Sequence, residues 1–174
     1  MFNIFRFIKS IWSVNHDISL QKLQLYFRIR GVPLQLFSNY LLNRKQYVIN
    51  RNTKSSLKNI SCGVPQGSVL GPLLFIMYTS DLPNCSTFTT VLYADDTYLC
   101  LSDKNLYDLQ LAVNSELLKV DRWMRLNKLS IINSKSSYML TSKSLRNTDN
   151  KNIPSSFQIC INDVILSQKN VSNT

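Results

Sequence analysis

Two carboxylates side by side, Asp95 and Asp96, stand between the β-prone segments Thr90 to Tyr93 and Thr97 to Leu101. The pattern predicts a hairpin with Ala94-Asp95-Asp96 at its turn. Crowded carboxylates repel one another, and a divalent cation relieves that repulsion; hard oxygen ligands suit Mg²⁺ or Mn²⁺. Phosphoryl transfer uses such a site, because two metals held close together activate an attacking hydroxyl and neutralise the leaving pyrophosphate. An Asp-Asp pair also serves as an ordinary solvated turn, and the local sequence leaves both readings open.

A second segment with chemical potential lies upstream: Gly63-Val64-Pro65-Gln66-Gly67-Ser68-Val69-Leu70-Gly71-Pro72-Leu73-Leu74-Phe75. Small residues let the backbone approach a ligand or a nucleic-acid strand closely. Amide groups at the start of a following helix favour phosphate. The alternative is a plain strand-to-helix connector.

The elements that must position these segments follow from periodicity. Leu20, Leu23 and Phe27 give Ile18 to Arg30 a helical spacing, with Gly31 as its stop. Pro33 suits the first turn of a second helix with Leu34, Phe37 and Leu41 on one face. Gln46 to Asn50 and Leu57 to Ser61 read as two short strands around a polar, basic turn. A helix from Leu73 to Tyr78 is expected after the glycine-proline loop, with Ser68 and Pro72 near its start and a turn at Asp81-Leu82-Pro83-Asn84 ending it. The clearest helix carries Leu106, Leu109, Val113, Leu117, Val120 and Met124 on one buried face. Ser137 to Thr141 reads as a strand, and Phe157, Ile159 and Ile161 alternate before an Asn162-Asp163 turn into Val164 to Leu166. The whole is expected to be one α+β domain.

Composition narrows the partners. The 174 residues are 44% hydrophobic and 17% charged, which is globular rather than disordered, and the net charge of +10 favours a polyanion, nucleic acid before an anionic membrane surface. Cys62, Cys85, Cys100 and Cys160 form no C-x-x-C pair, so neither a disulfide framework nor a zinc site is indicated and a reducing compartment is expected. Three N-x-S matches, at Asn59, Asn84 and Asn170, are read as chance in a chain without a secretory signal. Arg6 and Lys9 interrupt the apolar stretch from Met1 to Trp12, and glycines and prolines interrupt the longest uncharged stretch, so no membrane segment is read.

The glycine-proline loop, a spacer and then Leu92-Tyr93-Ala94-Asp95-Asp96-Thr97 together resemble the central palm motifs of reverse transcriptases from non-LTR retrotransposons of the LINE or jockey type. The resemblance extends to Val14-Asn15-His16-Asp17, Ser38-Asn39-Tyr40-Leu41 and Arg44-Lys45-Gln46 upstream. Downstream it takes in Trp123, Asn127-Lys128-Leu129 and Asn133-Ser134-Lys135, so that it spans roughly Lys9 to Leu140, with a weaker match from Phe157 to Leu166. It implies a partial polymerase palm: an antiparallel sheet that carries the Asp-Asp hairpin and is backed by helices. A palm core over about 14–140 would be followed by a polar loop over 141–156 and the start of a thumb-side region over 157–174. Asp95 and Asp96 would be palm carboxylates and metal ligands for Mg²⁺ or Mn²⁺, with Tyr93 and Ala94 beneath the primer terminus. Pro65, Gln66 and Gly67 would line the templating strand and the incoming nucleotide, and Lys135 would stand near the triphosphate. The implied partners are an RNA template, a DNA primer and a dNTP, with no membrane; the implied location is the nucleus or cytoplasm.

The chain departs from the family at one decisive place. The family pattern Phe-Leu-Asp-Leu-Ser-Lys-Ala-Phe-Asp-Thr-Val-Asn-His, aligned on Val14-Asn15-His16, sets its essential Asp on Arg6 and its second Asp on Trp12, while Lys9 matches. No carboxylate precedes Asp17. Either an arginine stands where a metal ligand belongs, or the segment Met1 to Ser13 is a foreign leader. Fingers elements, most of a thumb and an endonuclease domain are also expected to be missing, as in a truncated, decayed copy. The competing expectations are RNA-directed DNA synthesis by ancestry, a catalytically dead basic nucleic-acid-binding remnant, and a product that folds poorly.

Overall fold

In the computed structural model the described residues are 2–8 (backbone), 14–65, 67–132, 136–141, 157–161 and 164–169. In chain order the first half gives β1 (Phe2–Ile8), α1 (His16–Leu25), α2 (Val32–Leu41), β2 (Lys45–Gln46), β3 (Ile49–Asn50), β4 (Thr53–Lys54), β5 (Lys58–Asn59) and α3 (Leu70–Thr79). A 3₁₀ turn, Leu82–Cys85, leads to β6 (Thr89–Tyr93), β7 (Asp96–Ser102), α4 (Leu106–Leu126), β8 (Ser137–Thr141), β9 (Cys160–Ile161), β10 (Val164–Ile165) and β11 (Ser167–Gln168). These elements group into two units, Ser10–Ser80 and the remainder, Met1–Lys9 with Asp81–Thr174.

The sheet unit is built around β1. Five strands run in the order β11-β8-β1-β7-β6, with β1 antiparallel to both neighbours: Phe2↔Ser102 to Ile8↔Asp96 on one side, Phe2↔Thr141 to Arg6↔Ser137 on the other. Phe2–Ile8 thus forms the central strand of the sheet. The sequence reading left it unassigned because a continuous apolar run carries no period that separates strand from helix.

Along β7 exposure alternates as a pleat dictates: Thr97 and Leu99 are fully buried, while Asp96, Tyr98 and Cys100 are half-buried on the opposite face. On the buried side lies α4, whose Leu109, Val113, Leu117, Val120 and Met124 recur at three- and four-residue steps and are buried as its periodicity predicts, while Leu106, expected on the same face, is half-buried. Each such side chain removed from water is worth about 1.5–3 kcal/mol. Asn105 caps the helix by accepting from the Tyr107 amide at 3.0 Å. Asn114, midway along, accepts from the Cys160 amide (3.1 Å) and donates to the Gln158 carbonyl (3.2 Å), which ties the β9 segment to the helix. The Val164-Ile165 return strand pairs with β9 as expected; the Asn162-Asp163 turn and most of the polar segment 141–156 lie outside the described residues.

Glu116, on α4, sets where the acidic hairpin begins. Its carboxylate accepts from the Thr87 amide at 2.8 Å, two residues before β6, and from Lys119 Nζ at 2.6 Å. The Lys119 hydrogen bond, then the Thr87 amide, hold the Glu116 carboxyl below its ordinary value.

The other unit packs α1 against α2 and α3. Asn15 caps α1 by accepting from the Ile18 amide at 3.1 Å. The helix ends at Leu25, five residues short of the expected Arg30. Its last turn widens, with the Phe27 amide reaching Lys22 O and the Ile29 amide reaching Leu23 O, around Arg28 in the left-handed region (φ 56°). Gly31 (φ 64°) precedes α2 rather than closing α1, and Pro33 falls in the first turn of α2 as predicted. The two expected strands at 46–50 and 57–61 are instead a hairpin with two separate short ladders, β2 with β5 and β3 with β4, closed by a turn at Arg51-Asn52. The segment between Leu70 and Thr79 is helical from three residues earlier than expected.

Because the carboxyl of Glu116 is more acidic in the folded chain than unfolded, its contribution is fully present above the ordinary glutamate value, about 4.3, and disappears as pH falls through the lower folded value. Glu116→Gln is therefore expected to be less stable than the wild type at pH 7. The gap should close as the pH is lowered below about 4, measured by urea denaturation across a pH series. A gap independent of pH would refute the assigned role of this carboxylate.

Candidate functional site

β6 and β7 meet in a two-residue turn, since Tyr93 pairs with Asp96 and only Ala94 and Asp95 lie between them. Tight hairpins of this kind favour positive φ at the first central residue, because only primed turns match the right-handed strand twist. Ala94 takes it (φ 49°), a conformation that strains an L-residue by roughly 1–2 kcal/mol. The strain sits at the residue that presents Asp95, which is exposed, between Tyr93, 73% exposed, and half-buried Asp96. Tyr98 shares the Asp96 face, and its hydroxyl donates toward Asp96 Oδ2 at 3.5 Å, the outer limit of a hydrogen bond. Tyr98 went unnoticed in the sequence; its signal is the two-residue step from Asp96 along a strand.

The facing strand supplies the third component. Arg6 pairs with Tyr98 and Ile8 with Asp96, so the Arg6 position is a diagonal neighbour of Asp96 on a face of the same parity. Across the five strands of the sheet Arg6 and Asp96 are the sole charged residues. A pair of divalent ions needs bridging carboxylates from facing strands. Here β1 contributes none, and among the described residues no group of three or more His, Cys, Asp or Glu side chains gathers. Among the described residues the donors present, Asp95 and Asp96, do not by themselves make up a two-metal set.

The glycine-proline loop belongs to the Ser10–Ser80 unit. Its entry is clamped from both sides: the Gly63 amide donates to Val14 O (2.7 Å), and His16 Nε2, buried, donates to Gly63 O (2.7 Å), which requires the proton on Nε2. Val14-Asn15-His16 is thus a scaffold for the loop, a role that only tertiary contact reveals. At the exit Ser68 Oγ donates to Pro65 O (2.6 Å) and accepts from the Gly71 amide (3.1 Å) in the first turn of α3. A Cβ on Gly71 would come within 2.9 Å of Ser68 Oγ and 3.3 Å of Pro65 O, so glycine is needed for this closure. Gly67 has φ 73°.

Of the residues singled out from sequence, Tyr93, Ala94, Asp95 and Asp96 come together on one hairpin, while Pro65 and Gly67 lie in the other unit. Gln66 and Lys135 lie outside the described residues. Among the described residues no helix is long and apolar enough to cross a membrane.

A sheet with a carboxylate hairpin at its edge, a helix behind it and a central strand from the chain's start is the α+β architecture of a polymerase palm. The chain belongs to the reverse transcriptase (RNA-dependent DNA polymerase) family, whose profile matches residues 8–149. It is similar to the RNA-directed DNA polymerase from mobile element jockey of Drosophila melanogaster, 39% identical over 93 residues, 47% of this chain and 10% of that protein. It is also similar to the probable RNA-directed DNA polymerase from transposon X-element of the same organism, 31% identical over 107 residues, 59% of this chain and 12% of that protein. These matches span about a tenth of the relatives' length, and the resemblance to non-LTR retrotransposon polymerases holds. Among solved structures, telomerase from Candida albicans, in complex with the TWJ fragment of telomeric RNA, shares the fold. The TM-score is 0.56 at 14% identity, covering 83% of this chain and 28% of that one.

Replacing Ala94 by glycine is expected to stabilise the chain by up to about 1 kcal/mol, or roughly 2–4 °C in melting temperature, because glycine takes positive φ without strain. Ala94→Val should do the opposite. Equal melting temperatures for the two variants would show that the turn is not held in the left-handed region.

Proposed function

We propose that this chain is a reverse transcriptase palm that retains affinity for RNA template and DNA primer but does not carry out two-metal nucleotidyl transfer. The observation that carries the reading is the strand register: Arg6, and no carboxylate, stands diagonal to Asp96. A positive charge on the strand face that would have to hold a dication opposes its binding. The absence of a bridging ligand adds to that. By ancestry the activity is RNA-directed DNA synthesis with Mg²⁺ or Mn²⁺; Asp95 and Asp96 are the remnant of its metal site, and Pro65, Gln66, Gly67, Tyr93, Ala94 and Lys135 are the residues by which template and nucleotide would be held. The nucleus or cytoplasm is where such a chain would meet RNA.

Two measurements on purified chain test this. Primer extension on an RNA template with Mg²⁺ or Mn²⁺ is expected to stay at the level of an Asp95→Ala, Asp96→Ala control. Mn²⁺ titration followed by electron paramagnetic resonance is expected to show no site in the wild type and a site in Arg6→Asp that is lost again when Asp96→Asn is added. Extension dependent on both aspartates, or Mn²⁺ binding by the wild type equal to that of Arg6→Asp, would overturn the reading.

A further inference from the structure

The charge of this chain is unevenly placed. The Ser10–Ser80 unit holds eight Lys and Arg against the single Asp17, so that it carries +7 of the chain's +10. Five of those cations, Arg44, Lys45, Arg51, Lys54 and Lys58, fall on the β2–β5 hairpin, in a stretch without an acidic residue. None of the five is engaged by a carboxylate among the described residues.

The hairpin is also apolar and bare. Every residue from Asn43 to Asn59 is exposed, including Tyr47 (45%), Val48 (68%), Ile49 (63%) and Leu57 (59%). A hairpin with two-residue ladders and no buried face is at best marginal in water, and exposed apolar groups ringed by polar ones mark a surface that receives a partner. Its internal ties are short-range: Val48 and Ser55 exchange two bonds of 2.9 Å, and Lys54 Nζ lies 3.8 Å from the centre of the Tyr47 ring. Val48, Asn50, Arg51, Thr53 and Ser55 line a recess of about 530 Å³ elsewhere on the hairpin. That volume lies within the roughly 300–1,000 Å³ of ordinary ligand sites.

Five exposed cations on one hairpin, with an aromatic ring among them, match one chemistry. We propose that the hairpin from Arg44 to Lys58 docks a single-stranded polynucleotide, its basic side chains along the phosphates and a base stacked on Tyr47. The inference deepens the nucleic-acid-binding reading above and rests on it. The occupant is polyanionic because the hairpin offers five cations and no anion. It is single-stranded because a stacked base must be free of its neighbours, which a duplex forbids without unpairing.

The test is fluorescence anisotropy of the full chain with labelled oligouridylate and oligothymidylate over a salt series. One triple variant, Arg51→Gln/Lys54→Gln/Lys58→Gln, is compared with another of equal charge in the sheet unit, Lys104→Gln/Arg122→Gln/Lys128→Gln. All altered residues are exposed, and a cooperative melt confirms each fold. The hairpin triple should reduce the slope of log affinity against log salt by about 2, three phosphate contacts at about 0.7 each, while the control triple leaves it nearly unchanged. Tyr47→Ala should weaken binding about five- to a hundredfold without altering the slope. Equal losses from the two triples, or an unaltered affinity in Tyr47→Ala, would overturn the hairpin as the docking site while leaving nucleic-acid binding intact. Absence of binding by the wild type would overturn both.

Discussion

The antiparallel pairing of β1 with β7 is the constraint on which the site depends. It closes the sheet around the chain's first residues and brings β8 alongside. By the period of the pleat, it also decides which residues share the Asp96 face. A slip of one residue would exchange the two faces of β1 and remove Arg6 from that side. Register is strongly specified here because the opposite side of β7, Thr97 and Leu99, is buried without remainder against the layer that contains α4.

On that frame the hairpin turn is short and strained at one residue, Ala94, and rooted by Glu116 through the Thr87 amide. These are the means by which this sheet holds its carboxylates forward. The elements that position a metal site and the residues that bind metal are separable: the former are distributed over core packing and backbone geometry, the latter reside in a few side chains. Arg6 stands in the strand that frames the hairpin, so a change at this position bears on the latter and leaves the former in place.

The Ser10–Ser80 unit shows a similar division. Val14, Asn15 and His16 hold Gly63 in place, and Ser68 with Gly71 closes the far end, so a loop rich in small residues is pinned at both ends by ordinary backbone hydrogen bonds. The exposed hairpin contributes nothing comparable to a core. Its residues, basic and apolar by turns, make physical sense as a contact surface and little as a folding element.

Sequence alone determined the family, through the length of the glycine-proline motif and its spacing to Asp95 and Asp96. It also determined α4, whose three- and four-residue recurrence is a one-dimensional signal, and the strand at Ser137 to Thr141. It identified Arg6 as the departure from the family pattern without deciding whether Arg6 belonged to the sheet. Only tertiary structure decided that, because strand pairing between residues some ninety positions apart leaves no local period to read. The same holds for His16 bonded to Gly63 and Glu116 bonded to Thr87, contacts made by single side chains at long sequence separation. The early end of α1 at Leu25 was likewise beyond reach, since it is set by Arg28 adopting a left-handed conformation that residue type does not announce.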